Sequence, residues 1–268
     1  MRAAFGRLCF SPMKRVLAPS IPIPITAPSP AQSVVRVGAP RTNVYVDGFN
    51  LYYGAAKNTP YKWVNLAALC AVVLPGINIR RIRYFTALVR ATAADPNIRQ
   101  RQETYIRALE TLPSLTVHYG HYLQSTVSMR LANPQPGGPR YADVLKMEEK
   151  GSDVNIATYM LVDAFRKDCD QLVVITNDSD LAEPVRIINK ELGIPVGIFN
   201  PQTPDTARRT SARLGHKVKA APSITLRQVS KFNRDIRSDG PSCHMALSQF
   251  PATLVDAAGR TITKPSTW

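Results

Sequence analysis

The chain has 268 residues, with 34 Lys/Arg against 19 Asp/Glu and a formal net charge of +15. That length allows one large or two small domains, with room for an ordinary core of about 150 residues. The charge points to a polyanionic partner, most simply nucleic acid. Four scattered cysteines, Cys9, Cys70, Cys169 and Cys243, lack C-x-x-C spacing, which disfavours a zinc site or disulfide framework and fits a reducing cytoplasm. No apolar run approaches the ~18–20 residues of a membrane span. Pro19, Pro22, Pro24, Pro28 and Pro30 interrupt the stretch a secretory signal would need.

Residues 1–43 carry +6, residues 44–201 carry +2 and residues 202–268 carry +7. The near-neutral centre is the expected core and the excess charge lies in its flanks. Residues 1–42, rich in Pro, Ser and Ala and without period, read as a disordered basic tail. Val44, Tyr45 and Val46 form a first short strand, ending in Asp47-Gly48-Phe49-Asn50, where Gly48 lets the backbone bend. Residues 62–74 place Val64, Leu66, Leu69, Val72 and Val73 at helical spacing and stop at Pro75-Gly76. Residues 80–88 alternate and predict a second strand. Asp95-Pro96 predicts a capped helix start, with the helix running to about Thr111 and Ile98, Tyr105, Ile106 and Leu109 inward.

Residues 115–119 predict a third strand. Residues 120–140, with Pro134, Pro136, Gly137, Gly138 and Pro139, read as a long loop over a site. Ser152 or Asp153 caps a helix bearing Val154, Ala157, Leu161 and Ala164, with Ile156 and Met160 beside them. The apolar run at 172–175 is a buried strand that empties into Thr176-Asn177-Asp178-Ser179-Asp180. A helix over 180–192 follows, with Pro184 in its first turn and Gly193 closing it. Residues 194–199 supply a fifth strand. This alternation predicts a three-layer α/β fold with a mainly parallel central sheet. Beyond it, Arg208, Arg209, Arg213, Lys217 and Lys219 form a basic cluster, and residues 223–236 read as one helix. Residues 202–268 are expected to be a basic extension packing on the core.

Three segments deliver carboxylates where the chain turns: Asp47 after the first strand, Asp153 at a helix start, and Asp178 and Asp180 after the fourth strand. In an open α/β sheet such turns lie at the ligand-binding edge. Converging carboxylates repel and raise one another's pKa unless a cation intervenes. An all-oxygen set, with Asn50 and Thr176 nearby and no His or Cys partner, suits Mg²⁺ or Mn²⁺ and phosphodiester hydrolysis. Taken singly, Asp153 and Asp180 are also placed as helix caps, and Glu148 and Glu149 as solvated charges. His118, His121, His216 and His244 match no zinc-hydrolase or Ser-His-Asp motif.

V-D-G-F-N-L-Y-Y (46–53), E-K-G-S-D-V-N-I-A (149–157) and I-T-N-D-S-D-L-A-E-P (175–184), in that order, resemble the NYN domain of the PIN-like nuclease group. The resemblance covers about residues 43–201. L-S-Q-F-P (247–251) and K-P-S-T-W (264–268) resemble the tail common in bacterial members. The resemblance implies a Rossmann-like PIN/NYN fold and a metal-dependent ribonuclease. By it, Asp47, Asp153 and Asp178 are metal-binding acids, Asp180 is a fourth, and Asn50 is the polar partner beside the metal or the scissile phosphate.

The expected partner is RNA, single-stranded or structured, with no membrane; a homodimer is left open. Tyr52, Tyr53, Lys57, Tyr61, Lys62 and Trp63 interleave aromatic and basic residues, the pattern that stacks bases and holds phosphates. Of these Tyr52, Lys57 and Lys62, with Lys150 near the second motif, are the candidate substrate-binding residues. Arg80, Arg81 and Arg83 are candidate backbone contacts. Two alternatives stand beside hydrolysis. One is a regulatory RNA-binding module. The other is a 6-hydroxy-3-succinoylpyridine monooxygenase using NADH, a name some members of this bacterial subgroup carry. The chain has no G-x-G-x-x-G after a strand to support that reading.

Overall fold

The computed structural model describes residues 38–57, 59–201 and 248–268, all within the unit formed by residues 33–268. The expectations for residues 1–37, for the 206–219 cluster and for a helix over 223–236 lie outside the described residues.

β1 (Arg41–Asp47) is buried at every residue but the first, as a strand covered on both faces must be. After it come α1 (Gly48–Leu51), a π-helical turn (Tyr52–Ala56), α2 (Leu66–Val73) and β2 (Asn78–Thr86). α3 (Ile98–Leu109) leads to β3 (Leu115–Tyr119). β4 (His121–Arg130) and β5 (Tyr141–Lys150) precede α4 (Ser152–Phe165) and β6 (Gln171–Ile175). A 3-10 turn (Ser179–Leu181), α5 (Ala182–Lys190) and β7 (Val196–Phe199) complete the core, and β8 (Thr253–Val255) with β9 (Thr261–Thr263) forms a terminal hairpin.

β3, β2, β1, β6 and β7 build one sheet in that order, and every pairing is parallel. The period of two sorts side chains between its faces. Val44, Val46, Ile82, Val173 and Ile175 join α2, α3 and the terminal segment in one core. Tyr45, Phe85, Leu172 and Val174 join α4 and α5 in the other. The result is the expected three-layer α/β fold. Chain order runs outward from β1 through β2 to β3, then returns to β6 on the other side of β1. The order therefore reverses between β1 and β6, the point at which open parallel sheets form a crevice.

Four local expectations are corrected. Residues 62–65 are not helical: Trp63 and Val64 lie alongside the terminal segment, with Phe250 N–H donating to the Trp63 carbonyl at 2.9 Å. α2 starts only at Leu66, where the Asn65 side chain accepts the Ala68 N–H at 3.0 Å. The cap position of α3 is Asn97, whose own side chain makes no capping bond; Asp95, two residues earlier, pairs with Arg101 and accepts the Asn97 and Ile98 N–H groups at the helix start. In α4, Val154 is 68% exposed, and the buried stripe is Ile156, Met160, Asp163 and Ala164.

The fourth correction is the largest. Residues 121–130, within the expected 120–140 loop, are instead a strand paired along all ten positions with residues 141–150 in an antiparallel arm, with only 131–140 at its tip. Both of its faces are largely exposed, so no buried stripe imposed a readable pattern.

α4 is tied to the sheet by charge as well as packing. The Asp163 carboxylate, 1% exposed, accepts Arg83 Nε at 2.8 Å, a second Arg83 nitrogen at 2.9 Å and the Tyr45 hydroxyl at 2.7 Å. The Arg83 guanidinium also lies 4.5 Å over the Tyr159 ring. Arg83 is thus no surface phosphate contact, and Arg80 and Arg81 pair with Asp168. Burial alone would raise the Asp163 carboxyl, but the Arg83 and Tyr45 hydrogen bonds outweigh it and hold the group below its ordinary value. A depressed carboxyl stabilises the fold above its unfolded pKa of about 4 and loses that contribution as pH falls through the folded value. Asp163→Ala should cost about 3–5 kcal/mol in urea unfolding at neutral pH, because it strands a buried guanidinium. The difference from wild type should shrink below pH 4.

Candidate functional site

Asp47 ends β1 and caps α1: its Oδ1 accepts the Asn50 N–H at 3.0 Å and its Oδ2 the Asn50 side-chain amide at 2.5 Å. On the next strand, Thr176 follows β6. Its hydroxyl donates to Asp47 Oδ2 at 3.0 Å and accepts the Asp178 N–H at 3.1 Å. One threonine oxygen therefore links the two acids across the crevice between β1 and β6. Asp178 Oδ1 in turn accepts the Asp180 N–H at 2.9 Å. The cap of this turn is Asp178, not Asp180 as the pattern suggested; Asp180 lies exposed within the turn.

Asp153 arrives from the other side. α4 leads into β6, so its first turn lies at the carboxyl edge of the sheet, and α4 contacts the 3-10 turn that begins at Ser179. Neither Ser152 nor Asp153 caps α4. The chain enters through Gly151 at φ +96°, a left-handed conformation that glycine adopts freely, and Glu149 Oε1 accepts both the Ser152 N–H (3.2 Å) and its hydroxyl (2.8 Å). Asp153 is left free of capping duty. Glu149, read from the sequence as a solvated charge, supplies the cap.

The electrostatics record the convergence. Burial pushes the Asp47 carboxyl up, the hydrogen bonds from Asn50 and Thr176 pull it back, and the charge of Asp178 adds to the rise. Asp153 keeps contact with solvent, yet its carboxyl is pushed up to about 6, first by desolvation and then by Asp178, Asp47, Glu149 and Asp180. Each donor is a hard oxygen, the set that Mg²⁺ or Mn²⁺ prefers. His118 is taken up elsewhere, stacked on Phe85 at 4.9 Å with Arg83 3.2 Å away. Among the described residues no three acidic, His or Cys side chains are grouped tightly enough to hold an ion as they stand. The donor chemistry fits a hard divalent ion.

Beside Asp47 opens a pocket of about 90 Å³. Phe49, Tyr52, Tyr84, Tyr105 and Trp268 line it, and Lys62 supplies a cation. Gly48 is required here by space: a Cβ at this position would lie 2.6 Å from the Phe85 carbonyl oxygen and 2.7 Å from the Tyr84 hydroxyl. Of the other candidates, Lys57 sits over the exposed Tyr53 ring at 4.8 Å. Trp63 is fully buried in the core. Lys150 lies at the root of the arm, paired with Glu148 at 3.2 Å. Tyr52, Tyr53 and Lys62 of the aromatic and basic stretch lie in its lining, while the pocket as a whole draws its walls from five separate segments and is not legible in any one of them. Among the described residues no helix is long and apolar enough to cross a membrane.

The NYN domain family model matches residues 41–214. Among curated proteins, the chain is 30% identical over 185 residues to "6-hydroxy-3-succinoylpyridine 3-monooxygenase HspA" of Pseudomonas putida (strain DSM 28022 / S16). That match takes in 60% of this chain and 59% of the relative's length. Among solved structures, a protein of unknown function from Vibrio parahaemolyticus aligns with a TM-score of 0.40 and 17% identity, over 67% of this chain and 89% of that one.

A carboxyl raised by its neighbours costs stability: between about pH 4 and 6 the fold holds a proton that the unfolded chain has released, so stability falls as pH rises through that window. Allowing for the solvent access of Asp153, Asp153→Asn should stabilise the metal-free protein by about 1 kcal/mol, or ~2–4 °C in Tm. Thermal unfolding in EDTA at pH 7.5 and pH 4, with the gain vanishing at the lower value, checks this.

Proposed function

Because the chain belongs to the NYN domain family, we propose that it is a metal-dependent ribonuclease, hydrolysing RNA phosphodiester bonds at the edge formed by Asp47, Asp153 and Asp178. The observation that carries this reading is the Thr176 hydroxyl, which joins Asp47 and Asp178 across the β1/β6 crevice. Capping alone does not call for that link, since each acid already caps its own turn. A set of acids gathered at a ligand-binding edge is the arrangement that a divalent cation and an anionic substrate jointly satisfy.

Asp47, Asp153 and Asp178, with Asp180 as a fourth, would hold Mg²⁺ or Mn²⁺, which when bound supplies activation of water and stabilisation of the leaving oxygen. The remaining work belongs to the chain. Asn50 fixes the Asp47 carboxylate through both of its oxygens. Thr176 keeps the Asp47 and Asp178 turns in register, and its own proton is committed to Asp47 Oδ2. Such partners orient ligating carboxylates and commonly matter 10–100-fold. Tyr52, Lys57 and Lys62 follow Asp47 in sequence and offer aromatic and cationic contacts to the strand.

Calorimetric titration of Mn²⁺ into wild type, Asp153→Asn and Asp178→Asn, followed by RNA cleavage with the same samples, tests the proposal. Wild type should bind the ion and cut only in its presence. Each variant should stay folded and cut at least about 100-fold more slowly. A folded Asp178→Asn protein with full activity sinks the assignment.

The oxygenase named for the Pseudomonas putida relative gives a second reading. The pocket favours it, since aromatic walls with a lysine suit a substituted pyridine bearing a carboxylate. On that reading the protein consumes NADH when given 6-hydroxy-3-succinoylpyridine and O₂. Absorbance at the NADH band shows no substrate-dependent decline if hydrolysis is the activity.

A further inference from the structure

We propose that the pocket beside Asp47 is a subsite for a single nucleobase of the RNA strand; this rests on the ribonuclease reading and specifies how that site holds its substrate. The walls are built before any ligand arrives. The Tyr105 hydroxyl is committed to the Val64 carbonyl at 2.9 Å. Gln102 is committed three times, accepting the Val89 N–H at 2.8 Å and donating to the Ala87 carbonyl at 2.9 Å and the Thr86 hydroxyl at 3.3 Å. Tyr84 and Tyr105 meet at 89°, and Tyr105 and Trp268 at 75°, so the rings stand edge to face. Rings packed in this way hold their places in the core, and with Phe49, Tyr52 and Tyr53 they give the pocket aromatic walls for a planar occupant.

Charge and position select among planar occupants. Lys62 lines the pocket and Lys57 lies over Tyr53 next to it, so the occupant carries an anion outside the aromatic walls. Gly48 and Phe49 belong both to the pocket wall and to the turn that Asp47 caps. A base seated here thus brings its own phosphate to the lysines and the neighbouring phosphate to the acids. Stacking on aromatic faces tolerates every base, because each has a π-face. The pocket therefore fixes where the strand lies without demanding a sequence.

The test uses the full chain and its fluorescence excited at the red edge, where only the two tryptophans, Trp63 and Trp268, absorb. Trp268 lines the pocket and lies 5.6 Å from Trp63. UMP and AMP should change the emission saturably, with and without Mn²⁺, while ribose 5-phosphate should not. Tyr52→Leu, which removes a ring, and Val89→Phe, which fills the space, should each weaken mononucleotide binding roughly 10-fold. Both should leave the Mn²⁺ isotherm unchanged, with circular dichroism as the check that each is folded.

Equal responses to ribose 5-phosphate and UMP would overturn the base subsite in favour of simple anion binding. Saturable binding of 6-hydroxy-3-succinoylpyridine with none of either nucleotide would overturn it in favour of the relative's substrate. Full affinity in a folded Val89→Phe protein would also overturn it. Mononucleotide binding without RNA cleavage supports the pocket and defeats the ribonuclease reading; cleavage without mononucleotide binding does the reverse.

Discussion

The arrangement depends on one buried carboxylate. Asp163 receives Arg83 from β2 and Tyr45 from β1, so two neighbouring strands and α4 meet at a single side chain. A buried ion pair of this kind contributes little net stability compared with a well-packed apolar core. Its value is directional, because α4 could slide or rotate on a purely apolar face at small cost, whereas a forked guanidinium accepts a carboxylate in few orientations. Asp153 sits on the same helix ten residues earlier. Fixing Asp163 on the sheet therefore fixes how Asp153 approaches Asp47, and the clamp reaches the site without touching it.

The opposite edge of the same strands is built on the contrary principle. At the carboxyl ends of β1 and β6 the chain gathers acids. Arg81 and Arg83 are spent on Asp163, and Arg80 on Asp168, while the raised carboxyls of Asp47 and Asp153 lie at the carboxyl edge. Repulsion there weakens the fold, and proteins retain such a cost where function depends on it. The clamp and the acid edge are thus complementary: one supplies the rigidity that lets the other remain under strain.

How much of this could be read in advance follows from burial. β1 and β6 are covered on both faces and announce themselves as apolar runs, and the turns after them hold Asp47 and Asp178, so the sheet and the placing of those acids at its carboxyl edge were legible. Finer assignments were not. Asp178 and Asp180 are two residues apart, and either can cap the turn; only the backbone path chooses Asp178. Glu149 caps α4 from outside the helix, where its position resembles any surface charge. Asp163 looks like a solvated residue because its partners lie 80 and 118 positions away. The arm escaped notice for the opposite reason: with both faces exposed, nothing selects an alternation.

The pocket shows why the terminal segment belongs with the site. Trp63 follows the first acidic motif and is buried, yet its indole N–H donates at 2.8 Å to the carbonyl of Pro251, and its backbone N–H to Gln249 at 3.2 Å. The segment is thereby held along residues 63–65, and Trp268 is carried to Trp63 and Tyr105. A buried indole with no acceptor would pay the full desolvation penalty of its N–H. Trp63 and the terminal segment are accordingly interdependent. The wall that Trp268 gives to the pocket is built by the same contacts that complete the core on that face of the sheet. A change at the chain's end therefore acts on the pocket beside Asp47 through packing, although the two are more than two hundred residues apart in sequence.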